Sequence, residues 1–391
     1  MLKILLFSPN IVEYGRGGEI SSMELAAGLN KYYDVSFVDT NVSLGEKLLS
    51  KVAIEKKLAG LENRSRIKYA RFHIGNLTFS FPYPWEVCKL YRNIKKNNII
   101  YTSYSDLKNS LIFIFSNLIY RNTKLIIGYR KPLYSEKLFS IYNFKYRASL
   151  LLFSLFKKRI YHHALSFHAK KYLENFYKAK KVTQITHGIK LEDFKENSFS
   201  KKKRETLNFL YVGQLIDIPK GFGVLLEGMK EFLEENRNIN VRFEICGLGP
   251  LQSKLKILEA IYPEHIKYHG YVSNDLIPEI YRSNDVFLFS SRREPFPRVL
   301  MEALAGNLIV ICSKTIGSIE LLKGQDFAFF LSNLTSKEIK EKLLEVYKLW
   351  ESDYEKFSAL QKSAKNYVFN NFSLDIELKG FRTLINKIIQ E

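Results

Sequence analysis

Apolar and polar positions alternate along the chain in blocks that are either short and solidly apolar or long and amphipathic. Residues 2–8 (LKILLFS) are a short apolar run stopped by Pro9 and Asn10. A glycine-containing stretch, EYGRGGEI, follows, and SSMELAAGL then has helical spacing. This order predicts a strand, a glycine loop and a helix. Further buried strands are predicted at 35–40 (VSFVDT), 98–103 (NIIYTS), 124–129 (KLIIGY), 163–169 (HALSFHA) and 184–189 (QITHGI). AKKYLENFYKA supplies a helix between the last two. Strands without internal alternation, separated by helices, indicate a parallel sheet covered on both faces.

Residues 195–206 (KENSFSKKKRET) are polar, basic and aperiodic, and read as a linker. A second series follows. Strands are predicted at 208–213, 241–247, 266–272, 286–291 and 308–313. Helices are expected at 221–236, over LGPLQSKLKILEAI and NDLIPEIYRSND, and at 298–306. Residues 336–369 and about 375–390 have amphipathic helical spacing. The sequence therefore predicts an α/β fold with two Rossmann-like domains and parallel sheets, 1–195 and 206–374.

Composition narrows the class. The chain has 391 residues, 46% hydrophobic and 26% charged, which excludes disordered and fibrous classes. Three dispersed cysteines form neither a disulfide framework nor a metal-binding pair, which points to a reducing, cytoplasmic compartment. MLKILLFSPN is too short and too soon polar for a signal peptide, and no apolar run predicts a transmembrane helix. The net charge of +20 is uneven. Residues 1–195 carry 33 Lys and Arg against 14 Asp and Glu, so nearly all the surplus lies there. A basic half attracts an anionic partner, such as a membrane leaflet or a phosphorylated acceptor. The basic amphipathic stretch 44–60 is a candidate membrane contact; 146–163 reads rather as a core-facing helix.

The densest chemistry lies in SSRREPFPRVLMEALAG (290–306). Glu294 falls in a loop after a predicted strand, and Glu302 lies in the next helix. Carboxylates accept hydrogen bonds from hydroxyls, and a pair of them suits a polyhydroxylated ligand. Loops at the carboxyl ends of parallel strands are where open α/β sheets bind ligands, and a helix N-terminus there favours phosphate.

EPFPRVLMEALAG resembles the E-x7-E signature of retaining, nucleotide-sugar-dependent glycosyltransferases of family four, which have the GT-B fold. YVGQLIDIPKG (211–221), CGLGPL (246–251) and HGYVSNDLIPEIYRSNDVFLFSS (269–291) resemble other family segments in the same order. The resemblance covers about 205–320 and is weaker over 1–190. It implies two domains facing across a cleft, with the C-terminal helix at about 375–391 packing back on the first. It implies transfer of a sugar from a nucleoside diphosphate to an acceptor hydroxyl, without a metal or other cofactor. Glu294 would position the donor sugar, Glu302 the ribose, and Lys220 the diphosphate. Gly213, Gln214, Gly247, Gly249, Tyr271, Val272, Phe296, Pro297, Arg298 and Val299 would line the donor site. Gly17 and Gly18 would form the amino-domain loop near diphosphate and acceptor, and Arg130 stands near the family's amino-domain histidine position.

Gln214 replaces the family's usual arginine, for which Arg292, Arg293 and Arg298 are candidate substitutes; Pro297 replaces a glycine, and His187 an asparagine. These departures leave two alternatives open: a non-catalytic GT-B sugar-binding or scaffold subunit, and another GT-B enzyme such as a nucleotide-sugar epimerase. A lipid-linked or phosphorylated glycan is the expected acceptor, which would place the chain on the inner face of the plasma membrane. Neither GRGGEI nor GLGPLQ completes a dinucleotide fingerprint, and KKKR (201–204) lies in the linker without a nucleic-acid module.

Overall fold

The structure, a computed structural model, describes residues 1–8, 17–40, 51–74, 77–103, 123–129, 160–175, 178–194 and 203–391. The chain divides into two compact units. Unit 1 comprises Met1–His187 with Leu374–Glu391, and unit 2 comprises Gly188–Ser373.

Unit 1 is built on a seven-stranded sheet. Its strands are β1 (Lys3–Phe7), β2 (Asp34–Thr40), β3 (Arg64–Ile67), β6 (Ile99–Ser103), β7 (Lys124–Tyr129), β8 (Ile160–Ala164) and β9 (Val182–Gln184). The order is β3-β2-β1-β6-β7-β8-β9, and every pairing is parallel. β4 (Tyr69–Ile74) and β5 (Leu77–Pro82) form a separate antiparallel hairpin. The helix Gly17–Leu29 covers one face together with the C-terminal helix Leu374–Gln390. Leu378, Phe381, Leu384, Ile385 and Ile388 of the C-terminal helix enter the same core as Ile4, Leu6, Met23 and Ile99. A Cβ at Gly28 would lie 2.7 Å from Leu378, so glycine lets the two helices meet closely.

Unit 2 has a six-stranded parallel sheet of β10 (Leu207–Val212), β11 (Val241–Cys246), β12 (Ile266–Gly270), β13 (Val286–Phe289), β14 (Ile309–Ser313) and β15 (Ala328–Leu331). The order is β12-β11-β10-β13-β14-β15. The chain therefore reverses direction across the sheet between β10 and β13, the position at which doubly wound sheets open a crevice. β13 and β14 are buried at every residue. That is why VFLF and IVICS are unbroken apolar runs.

Several sequence expectations shift. The strand expected at 163–169 is instead Ile160–Ala164, and a helix starts at Phe167. Ser166 causes the switch, because its Oγ accepts from Ala169 N at 3.0 Å and caps the new helix. The strand expected at 184–189 is confined to Val182–Gln184. The helix reading of 146–163 fails at 160–163, which belong to β8; 146–159 lie outside the described residues. Residues 336–369 form two helices, Ser336–Ser352 and Tyr354–Asn371. They break at Asp353, whose side chain accepts from Lys356 N at 3.0 Å. Ile189 bridges to Ser373, and Leu191 and Phe194 are buried in unit 2, upstream of the expected 195–206 linker. Residues 195–202 lie outside the described residues.

In the candidate membrane stretch 44–60, the described part holds the helix Lys51–Lys57. Ile54, Leu58 and neighbouring Leu61 are buried in the unit 1 core, and Lys57 pairs with the buried Glu24 at 3.7 Å. Ile54 and Leu58 of this stretch therefore face protein, and 44–50 lie outside the described residues.

Candidate functional site

Two charge pairs flank the point where the sheet of unit 2 changes direction. Lys220, in the loop after β10, donates from Nζ to Glu294 Oε2 at 2.9 Å. Glu294 belongs to the loop after β13 and is about three-quarters buried, as is Lys220. One helical turn on, Arg298 Nε donates to Glu302 Oε1 at 2.8 Å. Glu302 Oε2 accepts from the Tyr281 hydroxyl at 3.4 Å. Burial, and then the charge of Glu302, hold the Tyr281 phenol well above its ordinary pKa. It stays protonated and acts as a donor. Glu302 is thus held from two sides by the chain itself.

Backbone contacts fasten these loops together. Ser290 Oγ donates to Lys220 O at 2.9 Å, and Arg292 N donates to Pro219 O at 2.7 Å. Gly221 has φ +64°, and a Cβ there would lie 2.1 Å from Ser290 O, so only glycine permits this approach. On the other side of Glu294, Gly317 N donates to Glu294 O at 3.1 Å. A Cβ at Gly317 would meet Pro295 C at 2.6 Å and Glu294 O at 2.7 Å. Gly317 lies in the first turn of the helix Ile316–Leu322, held by a reciprocal Thr315–Ser318 capping box. Ser313 Oγ also donates to Ser291 O at 2.6 Å.

The glycine turn after β11 packs against the loop after β10. Gly247 has φ +143°, and a Cβ there would lie 1.8 Å from Gly213 O. A Cβ at Gly249 would lie 2.5 Å from Leu215 O. Leu215 N donates to Leu248 O, and Leu251 N to Leu215 O. These glycines therefore allow one loop to lie directly on another. Gln214 O accepts from the buried Tyr211 hydroxyl at 2.9 Å. Tyr271 is 38% exposed, and Val272 is half-buried beyond the end of β12.

The remaining sequence candidates divide. Pro297 sits at the cap of the helix Arg298–Ala305 and provides no side-chain hydrogen bond. Val299 lies in the first turn of that helix and is half-buried. Phe296 is 4% exposed, with its ring 5.9 Å from Phe372, so its side chain belongs to the core. Arg292 lies 3.5 Å from Asp217. Gly17 and Gly18 belong to the first turn of the helix Gly17–Leu29 rather than to a loop. Nothing lies within 4 Å of a Cβ at Gly18, and 9–16 lie outside the described residues. Arg130 also lies outside them. His187 is buried, 3.1 Å from Ser21 Oγ and 3.6 Å from Glu377 Oε1. Tyr281, Ser290 and Gly317 were not singled out from sequence.

This arrangement sits inside a recognisable module. Residues 192–366 match the family Glycosyl transferases group 1. That stretch, a little under half of the chain, is similar to the family. The chain is 28% identical over 171 residues to spore coat protein SA of Bacillus subtilis, covering 42% of this chain and 44% of that protein. It is 24% identical over 232 residues to the capsular polysaccharide biosynthesis glycosyltransferase CapM of Staphylococcus aureus, covering 56% and 58%. The chain thus spans between about two-fifths and three-fifths of these relatives' lengths. Among solved structures, Anabaena HepE in complex with UDP and glucose is similar over 99% of this chain and all of its own, at TM-score 0.72 and 17% identity. The pneumococcal O-GlcNAc transferase GtfA in complex with UDP and GlcNAc covers 100% and 99%, at TM-score 0.76 and 12% identity. Two parallel-sheet α/β units with these structural similarities make a GT-B fold. Among the described residues, no helix is long and apolar enough to cross a membrane.

Proposed function

We propose that this chain is a retaining glycosyltransferase that moves a sugar from a nucleoside-diphosphate donor to an acceptor hydroxyl. The observation that carries the reading is the pairing of Lys220 with Glu294 beside Arg298 with Glu302 at the sheet's switch point. The group 1 module and the UDP complexes of HepE and GtfA support a nucleotide-sugar donor.

Departure of the nucleoside diphosphate is the demanding step, because negative charge accumulates on the leaving group. The Lys220 ammonium neutralises that charge. Its exchange from Glu294 to the diphosphate leaves the Glu294 carboxylate available to accept hydrogen bonds from donor-sugar hydroxyls. Glu302, already oriented by Arg298 and Tyr281, accepts from the ribose hydroxyls. With cations supplied by the chain, leaving-group stabilisation requires no metal. The acceptor binds the basic first half. A lipid-linked or phosphorylated glycan at the cytoplasmic membrane face matches its charge.

Thermal unfolding with UDP, GDP and ADP, each in EDTA, tests this on wild type and Glu302→Ala. At 100 times its dissociation constant a nucleotide stabilises by about 2.7 kcal/mol. A shift with one nucleotide, absent in the variant, is the expected result. No shift with any of them, in a variant and wild type that fold equally, sinks the reading.

A further inference from the structure

The helix Pro84–Lys95 packs on unit 1 beside β3, and Tyr83 N at its start bonds to Lys68 O just beyond that strand. Its inner side is set by Glu86, Leu90 and Ile94, all buried. At 100° per residue, Lys89, Arg92 and Lys96 fall within about 40° of Trp85 around the helix axis. All four side chains are exposed, and Trp85 is 62% exposed. Trp85 is held outward by a stack on Tyr83, with ring centroids 4.7 Å apart and planes 10° from parallel. Pro84 between them has a fixed φ, so the pair is pre-organised.

The charge on this face is one-sided. Glu86 is turned inward, where Lys89 reaches it at 3.8 Å and also donates to Arg66 O at 3.0 Å. Arg92 and Lys96 have no acidic partner among the described residues. At the lower end, Lys96 lines a cavity of about 360 Å³ together with Asp34 and Glu62. A solvated basic face accounts for the cations but not for an indole fixed above them. A convex helix surface is the wrong shape for a small ligand, which needs a concave site. A row of cations ending in a Trp–Tyr pair matches an anionic bilayer surface, where lipid phosphates meet the lysines and the indole seats among the headgroups.

We infer that the Trp85–Lys89–Arg92–Lys96 face docks unit 1 on an anionic lipid surface. This deepens the proposed membrane location and rests on it, but docking is measured without sugar transfer. The probe is flotation of the full chain with phosphatidylcholine vesicles containing about a third phosphatidylglycerol, at low and high salt. Wild type is expected to bind these vesicles, lose binding in high salt, and ignore pure phosphatidylcholine. Each cation near the surface contributes about fivefold in affinity. Lys89→Glu/Arg92→Glu/Lys96→Glu is therefore expected to weaken binding more than 100-fold, and Trp85→Ala about tenfold. Lys254→Glu/Lys256→Glu/Lys323→Glu makes the same charge change at exposed positions of unit 2 and is expected to retain binding. The nucleotide-induced thermal shift, measured on every variant, reports folding and the donor site separately. The inference is overturned if wild type does not float with anionic vesicles, or if the two triple variants lose binding equally. It is also overturned if the face binds a soluble polyanion while ignoring vesicles.

Discussion

Lys220 and Glu294, 74 positions apart in sequence, meet in a 2.9 Å ion pair where the loops after β10 and β13 touch. Each side chain is the other's ionic partner. On the proposed function, a diphosphate takes over Lys220 and a sugar takes over Glu294, so the pair would hold both groups in place without committing either. Lys220→Met is expected to lower kcat/KM by about 100-fold or more, the scale seen when one leaving-group or oxyanion donor is removed. Steady-state transfer with the sugar nucleotide whose base gives the thermal shift measures it. Unchanged kcat/KM would remove Lys220 from the mechanism.

Glu302 depends on its two holders. Tyr281→Phe keeps the buried ring and removes one hydrogen bond, so it is expected to cost about 1 kcal/mol of stability. Arg298→Ala removes a charge-assisted bond and frees the carboxylate to rotate. Nucleotide affinity is expected to fall about tenfold by calorimetric titration. Equal affinity in wild type and Arg298→Ala would show that Glu302 needs no anchor.

Gly317 carries no reactive atom, yet Gly317→Ala is expected to disturb the site. The added methyl would overlap the backbone from the Glu294 carbonyl through Pro295 to Phe296 N. Overpacking of this kind costs about 1–3 kcal/mol. Urea unfolding and donor affinity measured together check it. The expected outcome is a loss in both, and an unchanged variant would mean the Glu294 loop relaxes freely.

His162 predicts an acid-side loss of stability in unit 1. Burial lowers its pKa from 6.5 to about 4, and the Tyr129 hydroxyl lies 2.8 Å from Nδ1. The depressed value means the unfolded chain takes up a proton first. Stability from this residue is therefore complete above pH 6.5 and lost as pH falls toward 4, by about 3 kcal/mol in total. Urea midpoints across that window, in wild type and His162→Gln, measure it. A profile equally steep in the variant would assign the loss to other groups.

Much of the site was visible because it is local. Glu294 and Glu302 drew attention through the block EPFPRVLMEALAG around them and its resemblance to a family signature, since eight-residue spacing alone means little, and Arg298 is one helical turn before Glu302. The parallel strands of unit 2 were legible for the same reason, since burial on both faces writes itself as unbroken apolar sequence. Tyr281, Ser290 and Gly317 were invisible because their roles arise only when distant loops meet. Gly247 and Gly249 read as glycines needed near a ligand, and the structure shows them needed first by the neighbouring loop. The hairpin at 69–82 and the break at Asp353 were missed because short alternation and a single helix cap are weak against a longer helical pattern.

The C-terminal helix has a consequence for the order in which the protein can be made. Leu378, Phe381, Leu384, Ile385 and Ile388 complete a core whose other walls come from the first 185 residues. On the ribosome, all of unit 2 is synthesised between those two contributions. Unit 2 has its entire sequence in hand while unit 1 still presents an unfilled apolar face on the helix Gly17–Leu29. The half of the chain made first is therefore the half whose folding finishes last, and a stop codon at residue 374 would cripple unit 1 rather than the unit it directly follows.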